Sequence, residues 1–155
     1  MNIQSDLIDK AKNYAIMAHR GQKRKFSGGD YFEEHCKVVA ESIESNPHKY
    51  CPPEYWKAFL MPTNLEIIIA AAYLHDVLED TGYNLNSFPT AVHKIVLDLT
   101  RNNETYFDYI MRISTSNLAA KAIKLADLEC NMKDLQEGSM KDKYRFAEYI
   151  LRGDF

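Results

Sequence analysis

Residues 65–78 contain no Gly or Pro and are dominated by Ile, Ala and Leu, so they constrain the chain more than any other stretch. The run is too long for an ordinary buried strand, which predicts a helix apolar on every side and enclosed by protein. It passes directly into His75-Asp76-Val77-Leu78-Glu79-Asp80-Thr81, where five polar, chemically capable side chains close an apolar run. On a continuous helix His75 and Glu79 stand four residues apart, as do Asp76 and Asp80, so both pairs share one face. An imidazole beside a carboxylate in apolar surroundings carries a large desolvation penalty unless a cation or a hydrogen-bond network compensates it, and a divalent metal does so directly. The bland alternative is a helix end whose polar residues simply meet solvent.

The remaining pattern is helical throughout. Leu7, Ile8, Ala11, Tyr14, Ala15 and Ala18 predict a first helix over about residues 6–19, with Ser5 as its N-cap. Residues 19–31 then place Arg20, Lys23, Arg24 and Lys25 close together ahead of Gly28 and Gly29. That composition suits a loop holding a phosphate, and equally a solvated charge run. Residues 32–43 predict a second helix carrying His35. The pattern breaks over 44–63, where Pro47, Pro52, Pro53 and Pro62 punctuate an excursion with a short apolar piece at 55–60. Its Tyr55, Trp56 and Phe59 offer a surface for self-association, unless the loop folds onto its own core. After a turn at 81–84, helices are predicted over 85–100, 106–113, 119–135 and 140–152. The third of these sets Asp127 and Asn131 four residues apart on an otherwise buried face, and an acid there asks for a partner. In the last, Arg145 and Tyr149 share the same spacing. With no alternating strand pattern and no internal repeat, the class is all-α, a helical bundle in one domain over residues 1–155.

A net charge of −3 argues against a general nucleic-acid or membrane-surface binder, although a local basic cluster still allows a small anion. Cys36, Cys51 and Cys130 are odd in number and lack C-x-x-C spacing, which implies reduced thiols rather than a disulfide framework or a zinc ribbon. The polar start MNIQSDLIDK does not read as a signal peptide, and no run is long enough to span a membrane, so the expected location is the cytoplasm.

With His35, His75-Asp76 and Asp127 on three predicted helices, the pattern resembles the HD superfamily of metal-dependent phosphohydrolases, whose ligands fall in the order His, His-Asp, Asp. The surrounding text, AHRGQKRK-x5-Y-x3-H, AAAYLHDVLEDT and IKLADLECNMKDL, is similar to the hydrolase domain of RelA/SpoT homologues, especially the small single-domain hydrolases of metazoan SpoT-homologue type. The resemblance implies a divalent metal, usually manganese, held by His35, His75, Asp76 and Asp127. It makes Glu79 and Asp80 the pair that positions and deprotonates water. Arg24 and Lys25 match the basic pair of the nucleotide pocket, Arg24 suited to a base and Lys25 to a phosphate. Asn131 is expected near the ribose, and Arg145 with Tyr149 is expected to reach the substrate; His19 and Tyr31 are read as structural. The implied substrate is a small nucleotide: the alarmones ppGpp and pppGpp, losing their 3′-pyrophosphate, or NADPH, losing its 2′-phosphate. A non-catalytic nucleotide sensor is the competing class, disfavoured because binding alone does not require Glu79 and Asp80. With no synthetase segment in the sequence, a bifunctional enzyme is not expected. The sequence departs from the pattern at Cys36, where Pro is common, in the long 44–63 excursion, in the compact 102–117 stretch of small bacterial appearance, and at Glu129, which makes the local text more acidic than usual.

Overall fold

Ser5 opens the first helix as an N-cap, its side chain accepting the Ile8 amide at 3.2 Å. That helix, α1 (Asp6–Ala18), buries Ile8, Ala11 and Ala15. In the computed structural model, which describes residues 5–153, a π turn at Phe32–Cys36 runs into α2 (Lys37–Ser45). The chain continues through α3 (Trp56–Phe59), α4 (Pro62–Leu74), α5 (Val77–Asp80) and α6 (Thr90–Leu99). It ends with α7 (Tyr106–Ser114), α8 (Leu118–Lys133) and α9 (Ser139–Arg152). Among the described residues the only β pairing is an isolated antiparallel bridge between Lys23 and Asp30. The fold is all-α.

Helix α4 is the centre of the bundle, packed against α1, α2 and α6. Leu65 and every residue from Ile68 to Leu74 are buried, which is why the sequence there has no polar face. Each large buried side chain, such as Ile69 or Leu74, contributes about 1.5–3 kcal/mol on leaving water. The second apolar helix, α8, starts at the N-cap Asn117, whose side chain accepts the Ala120 amide at 2.8 Å. It lies across α2, α4 and α6 and brings Asp127 to the same side as the end of α4.

Two expectations are corrected, and one left open is decided. The predicted continuous helix over 65–78 is broken: α4 stops at Leu74 and α5 restarts at Val77. The His75 imidazole lies 2.7 Å, through Nδ1, from the Ala72 carbonyl, occupying an acceptor of the last helical turn. The helix expected over 85–100 begins only at Thr90, because Pro89, at ψ 145°, cannot sit inside it. Leu85 and Phe88 are buried in the preceding turn instead. The 44–63 excursion folds onto the core, burying Tyr50, Cys51 and Phe59, and Trp56 Nε1 donates to the Cys51 carbonyl at 2.8 Å. Tyr55 and Trp56 keep exposed faces.

The basic segment 19–31 is a short hairpin. Tyr31 N donates to Gln22 O at 3.0 Å, Arg24 N to Gly29 O at 2.8 Å and Gly28 N to Arg24 O at 3.0 Å, with Gly28 at φ +71° making the turn. These three amides are spent within the loop and are not free for an anion. Of the cations, Arg24 is turned inward and buried, while Lys23 and Lys25 stay at the surface.

Candidate metal centre and adjoining cavity

The π turn places His35 on the inner side of the bundle, the helix break turns His75 and Asp76 toward it, and α8 contributes Asp127. One donor atom from each of the four lies within 4.8 Å of every other. His75 Nε2 stands 2.9 Å from Asp76 Oδ2 and 3.7 Å from Asp127 Oδ1. His35 Nε2 stands 3.1 Å from Asp127 Oδ1, 3.2 Å from Asp76 Oδ2 and 3.2 Å from His75 Nε2. Metal–donor distances of about 2.0–2.2 Å put neighbouring donors roughly 3–3.5 Å apart, so this spacing fits one first-row divalent ion. The bond to Ala72 fixes Nδ1 of His75 as the donor and turns Nε2 inward, as ligation requires. The predicted quartet is therefore assembled, with a mixed nitrogen and oxygen donor set.

Neighbouring side chains hold these donors in place. The Tyr31 hydroxyl donates to Asp76 Oδ2 at 2.7 Å, and Asn131 Nδ2 donates to Asp127 Oδ1 at 2.9 Å. The Lys124 ammonium binds the other oxygen of Asp127 at 2.7 Å. Desolvation opposes charge on Asp127, but Lys124 and the two imidazoles outweigh it and keep this carboxyl well below the usual range. Asp76 is likewise held down by His75 and His35 against its burial. Burial and the adjacent Asp76 carboxylate push the Tyr31 phenol far up, so it remains a donor.

Glu79 and Asp80 open into the same cavity, of about 230 Å³, as the four donors. Glu79 accepts the Arg101 amide at 3.0 Å, and Asp80 accepts from Gln22 Nε2 at 3.0 Å. Gln22 is in turn held by His19 Nδ1 at 2.7 Å. Glu79 is open to solvent at the cavity mouth, yet partial desolvation raises its carboxyl above the ordinary glutamate value, with Asp76 adding to the effect.

Arg24 is only 9% exposed and donates to His35 Nδ1 at 3.0 Å, to Asn131 Oδ1 at 2.9 Å and to Asp134. Arg24, Lys25 and Asn131 line a second cavity of about 250 Å³ with Phe26, Leu135, Met140 and Tyr144, and it shares Tyr31, Asn131 and Tyr144 with the first. Arg145 and Tyr149 line neither. Arg145 forms a bidentate pair with Glu137 at 2.7 and 2.8 Å, and Tyr149 is 73% exposed. Glu129, read from the sequence as acidifying the site, instead faces Lys49 and the Tyr50 hydroxyl.

Sequence reasoning missed Gln22, Lys124, Arg101 and Lys143, all beside or within the metal-side cavity. Lys124 was findable, since it stands three residues before Asp127 on the same apolar helix. Arg101 and Lys143 carry no such signal.

No protein-family model and no curated protein matches the sequence. Among solved structures, the chain is similar to a metazoan ortholog of SpoT described as hydrolysing ppGpp and playing a role in starvation responses. The two share 25% identity over 99% of this chain and 89% of the other, with a TM-score of 0.73.

Proposed function

We propose that this chain, a member of the HD-type SpoT-homologue hydrolases by fold and donor set, is a metal-dependent phosphohydrolase that removes the 3′-pyrophosphate of ppGpp and pppGpp. The observation that carries the reading is the convergence of two imidazoles and two carboxylates on one point, in a cavity that Glu79 and Asp80 also line. A binding-only protein has no need of a second carboxylate pair beside a metal cluster.

His35, His75, Asp76 and Asp127 would hold the divalent cation, for which we favour Mn²⁺ from the nitrogen and oxygen donors and the absence of thiolates in the cluster. When bound, such an ion neutralises phosphate charge and acidifies the attacking water. The chain's own residues supply the rest. The Glu79 carboxylate, with its raised proton affinity, takes a proton from water as the water oxygen bonds to the phosphorus attached at O3′. The P–O3′ bond breaks, and the departing O3′ takes up the proton that Glu79 removed from water, leaving the nucleotide 3′-hydroxyl and free pyrophosphate. Asp80, tethered through Gln22 to His19, fixes the water on its other side. Tyr31 and Asn131, donating to Asp76 and Asp127, keep these carboxylates aimed inward. Lys25 and the apolar Phe26, Leu135 and Met140 would receive the nucleoside, with Arg24 behind them. Arg145 reaches a nucleotide only by leaving Glu137. The setting we infer is the cytoplasm, in a starvation or stringent response, with neither nucleic acid nor membrane as partner.

Incubating Mn²⁺-loaded protein separately with ppGpp, NADPH and GTP, and separating the products, tests this. Pyrophosphate and GDP from ppGpp, with GTP intact, is the expected result. Phosphate and NADH from NADPH with ppGpp untouched would replace the alarmone with a 2′-phosphate substrate.

A further inference from the structure

The metal-side cavity has two chemically different walls. One carries the four metal donors with Glu79 and Asp80. The other is basic and aromatic: Arg101 after α6, Tyr106 on α7, Lys124 on α8, and Lys143 and Tyr144 on α9. Lys124 is committed to Asp127. The other two cations are not committed to any acid. The Arg101 guanidinium makes its hydrogen bonds to the Glu104 carbonyl, at 3.1 and 3.3 Å. Lys143 Nζ lies over the ring of Tyr106, 4.2 Å from its centre, and 5.7 Å from that of Tyr144. Among the described residues neither cation makes an ion pair.

Unpaired surface cations are ordinary, because water satisfies them. The Tyr106 hydroxyl is not ordinary: on a ring that both cations lie over, it is shut from solvent and has no hydrogen-bond partner among the described residues, so a ligand in the cavity meets it only when the side chains around it shift. A buried polar group left unmet costs about 1–3 kcal/mol, so its partner is expected to arrive with a ligand. Burial pushes this phenol's proton affinity up, so it presents O–H rather than a phenolate. Two cations and a neutral O–H donor on one wall ask for a group with several anionic oxygens. A monophosphate held at the metal donors would leave this wall unanswered, whereas the second phosphate of a diphosphate, extending across the cavity, would meet it.

We propose that Arg101, Lys143 and the Tyr106 hydroxyl form a subsite for the distal phosphate of the substrate's pyrophosphate group, so that the cavity selects a diphosphate ester over a monophosphate ester. This rests on the phosphohydrolase reading above and assigns its specificity to three residues.

The test is titration of inorganic pyrophosphate and of orthophosphate into the metal-loaded full chain, read by calorimetry. Lys143→Met, Arg101→Gln and Tyr106→Phe are compared with wild type and with Lys57→Met, which removes a charge outside the cavity. Loss of one charge-assisted hydrogen bond should weaken pyrophosphate by about tenfold or more in the Lys143 and Arg101 variants, and by severalfold in Tyr106→Phe. Orthophosphate affinity, and both affinities in Lys57→Met, should move by less than about twofold. Equal losses for both anions, or none for pyrophosphate, overturn the subsite. In turnover, kcat/KM for ppGpp should fall in the Lys143 and Arg101 variants while that for guanosine 5′-diphosphate 3′-monophosphate holds. A wild-type protein that leaves ppGpp intact defeats the substrate reading, while the pyrophosphate titration still decides the subsite.

Discussion

The Arg24 guanidinium donates to Nδ1 of His35 across 3.0 Å, on the face of the imidazole opposite the metal donors. A guanidinium has no acceptor, so this contact asks for an unprotonated Nδ1, whereas the Asp127 and Asp76 carboxylates at Nε2 outweigh burial and raise the proton affinity of the ring. A ligating imidazole instead carries its proton on the nitrogen away from the ion and donates it to an acceptor. Arg24 and a metal therefore make opposing demands on one ring. Arg24→Gln removes a nearby positive charge and supplies a carbonyl that can accept from Nδ1, so divalent affinity should rise by about tenfold. Competition against a fluorescent chelator measures this. If affinity falls instead, Arg24 supports the site rather than opposing the ion.

Glu79→Gln keeps the size of the side chain and its capacity to accept from the Arg101 amide while removing the base. Turnover should fall by about 10²–10⁴, with the metal-dependent rise in melting temperature retained. Desolvation raises the Glu79 carboxyl in the metal-free protein and a bound cation opposes that, so activity should be lost as pH falls through the Glu79 titration, and Glu79→Gln should remove this acid limb from kcat. An unchanged rate in the variant would pass the role of base to Asp80.

His75, Asp76 and Asp127 were legible because they close or interrupt apolar helical runs, where a polar side chain has no solvent reason to be, whereas His35, flanked by Glu33, Glu34 and Lys37, was legible only through the resemblance to the HD pattern. The cations opposite were not, since Arg101 and Lys143 sit at exposed positions that read like any solvated charge. The break after Leu74 was hidden for a different reason: no Gly or Pro marks it, and a side chain to backbone bond from His75 decides it. Pro89 was a visible signal, and it shortened α6 as the chemistry of its ring demands. On α9 the spacing of Arg145 and Tyr149 was readable but its direction was not. Ala147 and Leu151 are the buried residues of that helix, which leaves Arg145 and Tyr149 on its exposed side.

Without metal, His75 acts as the counterion of its carboxylate neighbours. Burial alone would depress its pKa, but the Asp76 carboxylate and the Asp127 contact outweigh burial and push it up to about 10. Its unfolded value is about 6.5. A basic group raised in the folded state contributes stability that is fully present below the unfolded value and is lost as pH rises through the folded one. Chelated protein should therefore lose stability between about pH 6.5 and 10, with His75 contributing a slope of at most about 1.4 kcal/mol per pH unit and the likewise raised His35 adding to it. Urea unfolding at several pH values measures it, and His75→Gln should flatten the dependence. A stability that stays level over this window in the wild-type protein would mean that His75 is neutral when folded.

Asp127 holds the buried Lys124 ammonium as well as facing the two imidazoles, so its loss should be felt even where no metal is present. Asp127→Ala leaves Lys124, whose side chain is 12% exposed, without its carboxylate, and breaking such a pair costs about 3–5 kcal/mol. Chelated Asp127→Ala should accordingly unfold at lower urea than chelated wild type, and added Mn²⁺ should no longer raise its melting temperature. Lys124→Met fills similar space without the charge. Combined with Asp127→Ala it should restore part of the loss, giving a coupling of about 1–3 kcal/mol in a double-mutant cycle. Additive effects would show that Lys124 finds water once Asp127 is gone. In that case the cost of removing Asp127 would come from the two buried imidazoles that it faces.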